Sequence, residues 1–163
     1  MVGNSVKYRK IVSGLIKKSF PKLNCFKIFV NEIPFFGVKY FAGYTYCIFF
    51  GLIMVNTNCK EYPKEAIVAL LAHELSHAEE IREMSFIGLI KFGFKWFFTK
   101  KCKAEFETSA DKRTIEKGYA RGRYLLARHT EKKKDKESLK KKLEKGYLDS
   151  KQIKTYAKKI GKW

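Results

Sequence analysis

LLAHELSHAEE, residues 70–80, places two of the chain's three histidines four residues apart, with Glu74 directly after the first. Residues four apart lie on one face of an α-helix about one turn apart, so His73 and His77 point the same way. The positions around them are mostly uncharged, which suits a helix whose other face packs on a core. The stretch therefore predicts a largely buried helix that carries a small polar cluster.

This polar cluster has the composition of a zinc site. Two imidazoles on one helix face can occupy two corners of a tetrahedral zinc ion. Glu74 falls beside the metal rather than on it, where its carboxylate can hold and deprotonate a water molecule. The alternative is a chance match on a partly exposed helix face. Glu79 is the one departure, because a motif of this type usually has an apolar residue there.

A third ligand is required, and a later segment offers it. No histidine closely follows the motif, and His129 is 52 residues further on. Residues 104–111, AEFETSAD, place Glu107 and Asp111 four apart on one helix face. Glu107 can bind the metal, while Asp111 can accept the free ring N–H of a ligating histidine. Glu105 faces nearly the opposite side, so only one of the two glutamates can serve, and the pairing with Asp111 favours Glu107.

HELSH, followed thirty residues later by ETSAD, resembles the pattern of the gluzincin metallopeptidases. The small size and the lysine-rich, isoleucine-rich composition are similar to those of the archaeal minigluzincins. The resemblance covers residues from about 51 to 125. It implies a zincin-like fold, in which one helix bears both histidines, a second supplies the glutamate, and a small antiparallel sheet lies beside the cleft. The edge strand of that sheet would align an extended peptide, and GLIMVN, residues 51–56, lies where the strand should be.

Hydrophobic patterning predicts one α+β domain over residues 1–163, with helical basic ends. A membrane-spanning segment is the alternative for residues 33–55, although Lys39 and three glycines argue against it. The predicted strands cover roughly 25–30, 38–49 and 51–56. The predicted helices cover 5–19, 63–82, 102–117 and 119–133, and residues 84–98 are either a helix or a loop. The predicted breaks are Pro21, Gly118 and Gly146, and Ser150 is the predicted cap of a last helix.

The excess of basic residues lies at the two ends of the chain. The net charge of +19 divides into +8 in residues 1–60, −1 in 61–100, +4 in 101–129 and +8 in 130–163. Such an excess favours acidic partners without naming them. A nucleic-acid-associated protein is one alternative, but no nucleic-acid motif is present, and this partner is not favoured.

The N-terminus and the cysteines indicate where the protein works. The first apolar run has only six residues, which is too short for the core of a signal peptide. Cys25, Cys47, Cys59 and Cys102 form no C-x-x-C pair, which argues against a cysteine zinc site. We therefore expect a cytoplasmic protein with reduced thiols. A Cys47–Cys59 disulfide is the alternative, because the lysine-rich composition leans toward a thermophile.

Two segments outside the motif allow two readings each. Residues 84–98, MSFIGLIKFGFKWFF, are apolar, with Lys91 and Lys95 one helical turn apart. This segment either packs over the core or lies on an anionic membrane surface with its lysines at the headgroups, which would make the protein peripheral to the membrane. The basic tail, about 130–163, is either a solvated helical face or a cover over the cleft.

Together these features predict a zinc metallopeptidase, a hydrolase with Zn²⁺ as cofactor and a peptide or unfolded protein as substrate. A non-catalytic zinc protein that binds peptides is the alternative, against which the intact Glu74 argues. A side chain that donates a hydrogen bond to the oxyanion is also expected, and for each candidate the alternative is an ordinary helix residue with no such role. The predicted site comprises the metal ligands His73, His77 and Glu107, the catalytic Glu74, the supporting Asp111, and the candidate oxyanion donors Tyr119, Tyr124 and His129.

Overall fold

Three strands form one mixed sheet. The computed structural model describes residues 3–34, 42–47, 50–133 and 135–163. The strands are β1 (Lys27–Ile33), β2 (Ala42–Cys47) and β3 (Phe50–Asn56), in the order β1-β3-β2. β1 runs parallel to β3 and β2 runs antiparallel to it, so that Ile53 of β3 lies opposite Val30 of β1 and Tyr44 of β2.

The central position of β3 corrects the sequence prediction at two points. The sheet is not wholly antiparallel, and residues 51–55 are paired on both sides instead of forming an edge strand, while among the described strands Asn56 pairs with β1 alone. The physical reason is burial: Ile53 and Val55 are fully buried, and an apolar strand is best protected between two neighbours. Within the described sheet, the edge strands are β1 and β2.

The described parts of residues 33–55 are strands rather than a membrane-spanning helix. Across the described ranges, no helix combines the length and the apolar character that crossing a bilayer needs. Residues 38–41 and 48–49 of the predicted second strand lie outside the described residues, as does the side chain of Cys47 with its alternative disulfide.

Seven α-helices accompany this sheet in the described part of the chain, so the predicted α+β class is confirmed. Gly118 takes a φ of 92° at the predicted stop, a left-handed conformation that glycine adopts without strain. The helices are α1 (Gly3–Ser19), α2 (Lys64–Glu83), α3 (Phe86–Phe98), α4 (Lys100–Thr114), α5 (Ala120–Lys133), α6 (Lys136–Glu144) and α7 (Ser150–Lys159), with short 3-10 turns at Pro21–Leu23 and Thr57–Glu61 and a π-helical turn at Ile115–Tyr119.

α2 is the central helix of the fold. Every residue from 71 to 79 is buried, because β2, α1, α4 and α5 all pack against this helix. The polar residues of the stretch are therefore inside as well, where each needs a partner. Glu79 has two, since its carboxylate lies 3.0 Å from Lys117 Nζ and 3.7 Å from Arg113 Nη1. These ion pairs account for a charge at a normally apolar position of the motif.

The C-terminal segment belongs to the folded core and is not merely a solvated face. Ile153 and Ala157 of α7 are fully buried in a second core that α5 shares. α7 begins with a capping box, in which Asp149 accepts the backbone N–H of Gln152 at 2.7 Å and the Gln152 side chain accepts that of Asp149 at 2.9 Å. The cap is therefore Asp149, one residue before the predicted Ser150.

Candidate metal centre

Three polar side chains meet where α2 packs against α4. His73 Nε2 lies 3.1 Å and His77 Nε2 lies 3.4 Å from the same oxygen, Glu107 Oε2. One ligand atom from each residue lies within 4.8 Å of the other two. The spacing of four residues on α2 aligns the imidazoles, and the packing of α4 on α2 adds the carboxylate. The structure thus brings together the three residues that the sequence predicts as ligands.

The spacing of these atoms fits a tetrahedral metal ion. Zinc binds histidine nitrogen and carboxylate oxygen at about 2.0–2.2 Å, so two ligand atoms at tetrahedral angles lie roughly 3.3–3.5 Å apart. The observed separations of 3.1 and 3.4 Å are close to this value. Two imidazoles and one carboxylate form the donor set of an open catalytic zinc site, whereas structural sites usually have four protein ligands. The residues present therefore fit a zinc ion with one open coordination position.

Asp111 supports the first histidine from the far side of its ring. Its Oδ1 lies 2.9 Å from His73 Nδ1, and the residue is fully buried. Arg123 of α5 pairs with the same oxygen, and the backbone N–H of Leu148 donates to Oδ2 at 2.9 Å. These partners fix the carboxylate, and the carboxylate in turn orients the imidazole so that its Nε2 faces Glu107.

The electrostatics of this cluster favour a cation. Burial alone would raise the pKa of Glu107, but hydrogen bonds from His73 and His77 hold it well below its usual range. Burial also opposes ionisation of Asp111, yet Arg123 and His73 lower its pKa to about 2. Burial and Arg123 depress the pKa of His73, but Asp111 and Glu107 outweigh them and raise it to about 9. Two ionised carboxylates therefore face the imidazoles.

Glu74 lies on α2 between the two histidines and is only 5% exposed. Burial is the largest influence on its pKa and raises it, while the neighbouring His73 and His77 pull it down and Glu107 pushes it up. The net result is a pKa above the ordinary value for glutamate. A carboxylate so tuned accepts a proton more readily near neutral pH, which is what a general base requires.

The remaining sequence candidates lie elsewhere. Glu105, the alternative third ligand, is exposed and lies 4.0 Å from Lys101. The three candidate oxyanion donors stay predictions, because residue type alone does not tell which side of a helix faces the cluster. In the described part of the chain each has its contact elsewhere: Tyr119 with Ser19 (2.7 Å between hydroxyl oxygens), Tyr124 with Trp163 (5.2 Å between ring centres) and His129 with Tyr62 (4.4 Å between ring centres).

Tyr147 is an aromatic residue of the cluster that the sequence analysis missed. Its ring is stacked on that of His73, with 6.0 Å between the ring centres, and its hydroxyl lies close enough to Glu107 to interact with that carboxylate. Burial first, and then the charges of Glu107 and Glu74, raise the pKa of Tyr147. The phenol therefore stays protonated and remains a hydrogen-bond donor beside the candidate ligands.

A close backbone contact holds the Tyr147 segment against α4. Gly146 has a φ of 90°, and a Cβ at this position would approach the carbonyl oxygen of Ala104 to 2.0 Å. The Thr108 hydroxyl donates to the carbonyl oxygen of Gly146 at 2.7 Å. Only glycine satisfies both the left-handed backbone and the close approach. The connection between α6 and α7 therefore covers one side of the cluster.

We expect Gly146→Ala to destabilise the protein by about 2–4 kcal/mol, because backbone strain and a backbone clash combine. The melting temperature, followed by circular dichroism, should fall by roughly 5–15 °C. Gly118→Ala is the matched control, since Gly118 has nearly the same φ, 92°, but no atom within 4 Å of an added Cβ. It should cost only about 1 kcal/mol. Equal melting temperatures for the two variants would contradict the close contact between Gly146 and the backbone of Ala104.

We expect Asp111→Asn to weaken zinc binding about 10–100-fold, because the His73 ring loses the carboxylate that orients it. The measurement is a competition titration with a chromogenic chelator on protein whose fold has been checked by circular dichroism. Glu105→Gln removes an exposed carboxylate from the same helix and should leave the zinc affinity unchanged. A wild-type affinity in Asp111→Asn would remove Asp111 from the site.

Comparison with known proteins assigns no family to this chain. No protein-family model, no curated protein and no solved structure matches it. The chemistry of the cluster rests on its own side chains, which are two imidazoles, the Glu107 carboxylate and the buried carboxyl group of Glu74.

Proposed function

We propose that the chain is a zinc-dependent metallopeptidase of the gluzincin type, which hydrolyses peptide bonds. The observation that carries the proposal is the convergence of His73, His77 and Glu107 at tetrahedral spacing, with Glu74 buried beside them. Three protein ligands leave one coordination position for water or substrate, which catalysis requires. A base next to that position would serve no purpose in a site that only binds.

In this proposal each residue has a separate role. His73, His77 and Glu107 bind the metal. Bound zinc supplies Lewis acidity, which polarises a carbonyl group and makes water more acidic. Glu74 accepts a proton from the attacking water and passes it to the leaving amine. Tyr147 holds a protonated hydroxyl beside Glu107, where it can donate a hydrogen bond to the negative charge that develops on the carbonyl oxygen.

The sheet supports alignment of an extended peptide along β2. This strand is an edge of the described sheet, and it packs against α2, the helix that carries both histidines. Within the described sheet, β2 pairs with β3 on one side only. Addition of a strand at the other side of an edge strand is a common way to hold an extended peptide. The proposal therefore puts the substrate along Ala42–Cys47 and not along the central strand.

Hydrolysis of an unstructured protein such as casein tests this function. The zinc-loaded chain should cleave casein, 1,10-phenanthroline should stop the cleavage, and added Zn²⁺ should restore it. The comparison with the Glu74→Gln variant then identifies the base. A chain that binds zinc but leaves casein intact would instead support a non-catalytic zinc protein.

A further inference from the structure

α3 leaves a large apolar surface open. At about 200 Å² for each fully exposed side chain, its exposed residues present roughly 800 Å². A soluble monomer usually leaves at most a few hundred Å² of contiguous apolar surface, so a surface of this size indicates a binding partner. The residues of this apolar face, each between 47% and 82% exposed, are Phe86, Ile87, Ile90, Phe94, Phe97 and Phe98.

The apolar face occupies one side of the helix. At about 100° per residue, its six members span roughly a third of the helix circumference. The opposite side carries Phe92 and Trp96, whose ring centres lie 4.9 and 5.5 Å from that of Phe106 on α4. α3 is therefore anchored to the protein by one side, while the apolar face is left to contact something else.

Charge argues that this partner is an anionic surface. Lys91 and Lys95 lie one turn apart beside the apolar face, and Lys100 and Lys101 follow at the start of α4. All four are exposed, and α3 contains no acidic residue. Two copies of the chain that packed through this face would bring their lysines together and repel each other. Anionic lipid headgroups would instead neutralise them.

We propose that α3 is an interfacial anchor, which inserts its apolar face into the headgroup region of an anionic bilayer and places its lysines at the phosphates. The helix has 13 residues and is about 20 Å long, whereas the hydrocarbon core is about 30 Å thick. It therefore lies on the membrane and does not cross it. The ring of Phe106, which packs on α3, is also stacked on that of His77, with 4.4 Å between the ring centres. Binding of α3 to a bilayer would therefore hold the candidate metal site near the lipid surface.

Co-sedimentation of the full chain with vesicles of phosphatidylcholine, with and without phosphatidylglycerol, tests the proposal and needs neither metal nor activity. The wild type should sediment with the anionic vesicles. Phe94→Ser/Phe97→Ser should lower the partition coefficient at least about tenfold, and both side chains are exposed enough for the fold to survive. Val6→Ser is the control, because Val6 is an exposed apolar residue on the basic helix α1. It should sediment like the wild type.

The net charge of +19 would attract the chain to anionic vesicles even without α3, so a second pair of variants is needed. Lys91→Gln/Lys95→Gln should reduce binding roughly tenfold. Lys136→Gln/Lys140→Gln removes the same charge from exposed positions of α6 and should reduce it less. Equal losses for the two lysine pairs, or wild-type binding by the double serine variant, would overturn the proposal. A dimer in the analytical ultracentrifuge that Phe94→Ser/Phe97→Ser dissociates would overturn it too.

Discussion

Wild-type protein should hold close to one zinc ion per chain, and His77→Ala should lose it. Zinc bound by four protein ligands is worth about 10–16 kcal/mol, so one ligand contributes about 3–4 kcal/mol, or on the order of 10²–10³-fold in affinity. The loss is large here because the described cluster has only three protein ligands to begin with. We expect the variant to be metal-free after dialysis against a weak chelator, as measured by atomic emission spectrometry.

His129→Ala is the matched control for this experiment. His129 is the chain's third histidine, and its ring packs against Tyr62 away from the cluster. Its substitution should leave the zinc content unchanged. Zinc that stays at wild-type stoichiometry in His77→Ala would contradict the metal hypothesis. Loss of zinc in His129→Ala would instead indicate that His129 is part of the metal site.

The candidate ligands could be located from the sequence because the information for their spacing is local. His73 and His77 are one turn apart on α2, and Glu107 and Asp111 are one turn apart on α4, so each helix aligns its own pair whatever the rest of the fold does. The packing of α4 on α2 then brings the two pairs together. Four of the cluster's side chains therefore follow from spacing and one helix–helix contact.

Pairing between strands and contacts from the tail could not be predicted in the same way. The sequence of β3 is compatible with an edge strand and with a central strand. Only the burial of Ile53 and Val55 in the folded chain favours two neighbouring strands over one. Tyr147 reaches the cluster because Gly146 fits against the backbone of Ala104, which no periodic pattern encodes. Gly146 predicts a break in the helical pattern, but a break does not tell where the side chain of the following residue lies.

The apolar character of α3 was equally visible in the sequence, but its exposure was not. Residues 84–98 are apolar nearly all round, which is compatible with burial as well as with a surface role. The contacts of Phe92 and Trp96 with Phe106 determine which side turns inward. Exposure of the other side is thus a property of the folded chain.

Glu74→Gln should keep its zinc and lose hydrolysis of casein. Glutamine has the size of glutamate but cannot accept a proton, so the chemical step should slow about 10²–10⁴-fold, the usual contribution of a general base. The fall should appear in kcat, with KM little changed, because the side chain acts on the proton and not on the bound peptide. Stability should not suffer, because burial already disfavours the charge that the substitution removes.

Glu65→Gln is the control, since Glu65 is an exposed carboxylate in the first turn of the same helix. It should cleave casein at the wild-type rate. Unchanged hydrolysis in Glu74→Gln would require another base, and the described residues offer few. Besides Glu74, the buried acidic residues among them are Glu79 and Asp111. Glu79 is paired with Lys117 and Asp111 with Arg123, so each would have to break an ion pair before it could take a proton from water. Glu74 forms no ion pair with a lysine or arginine among the residues that the structure describes.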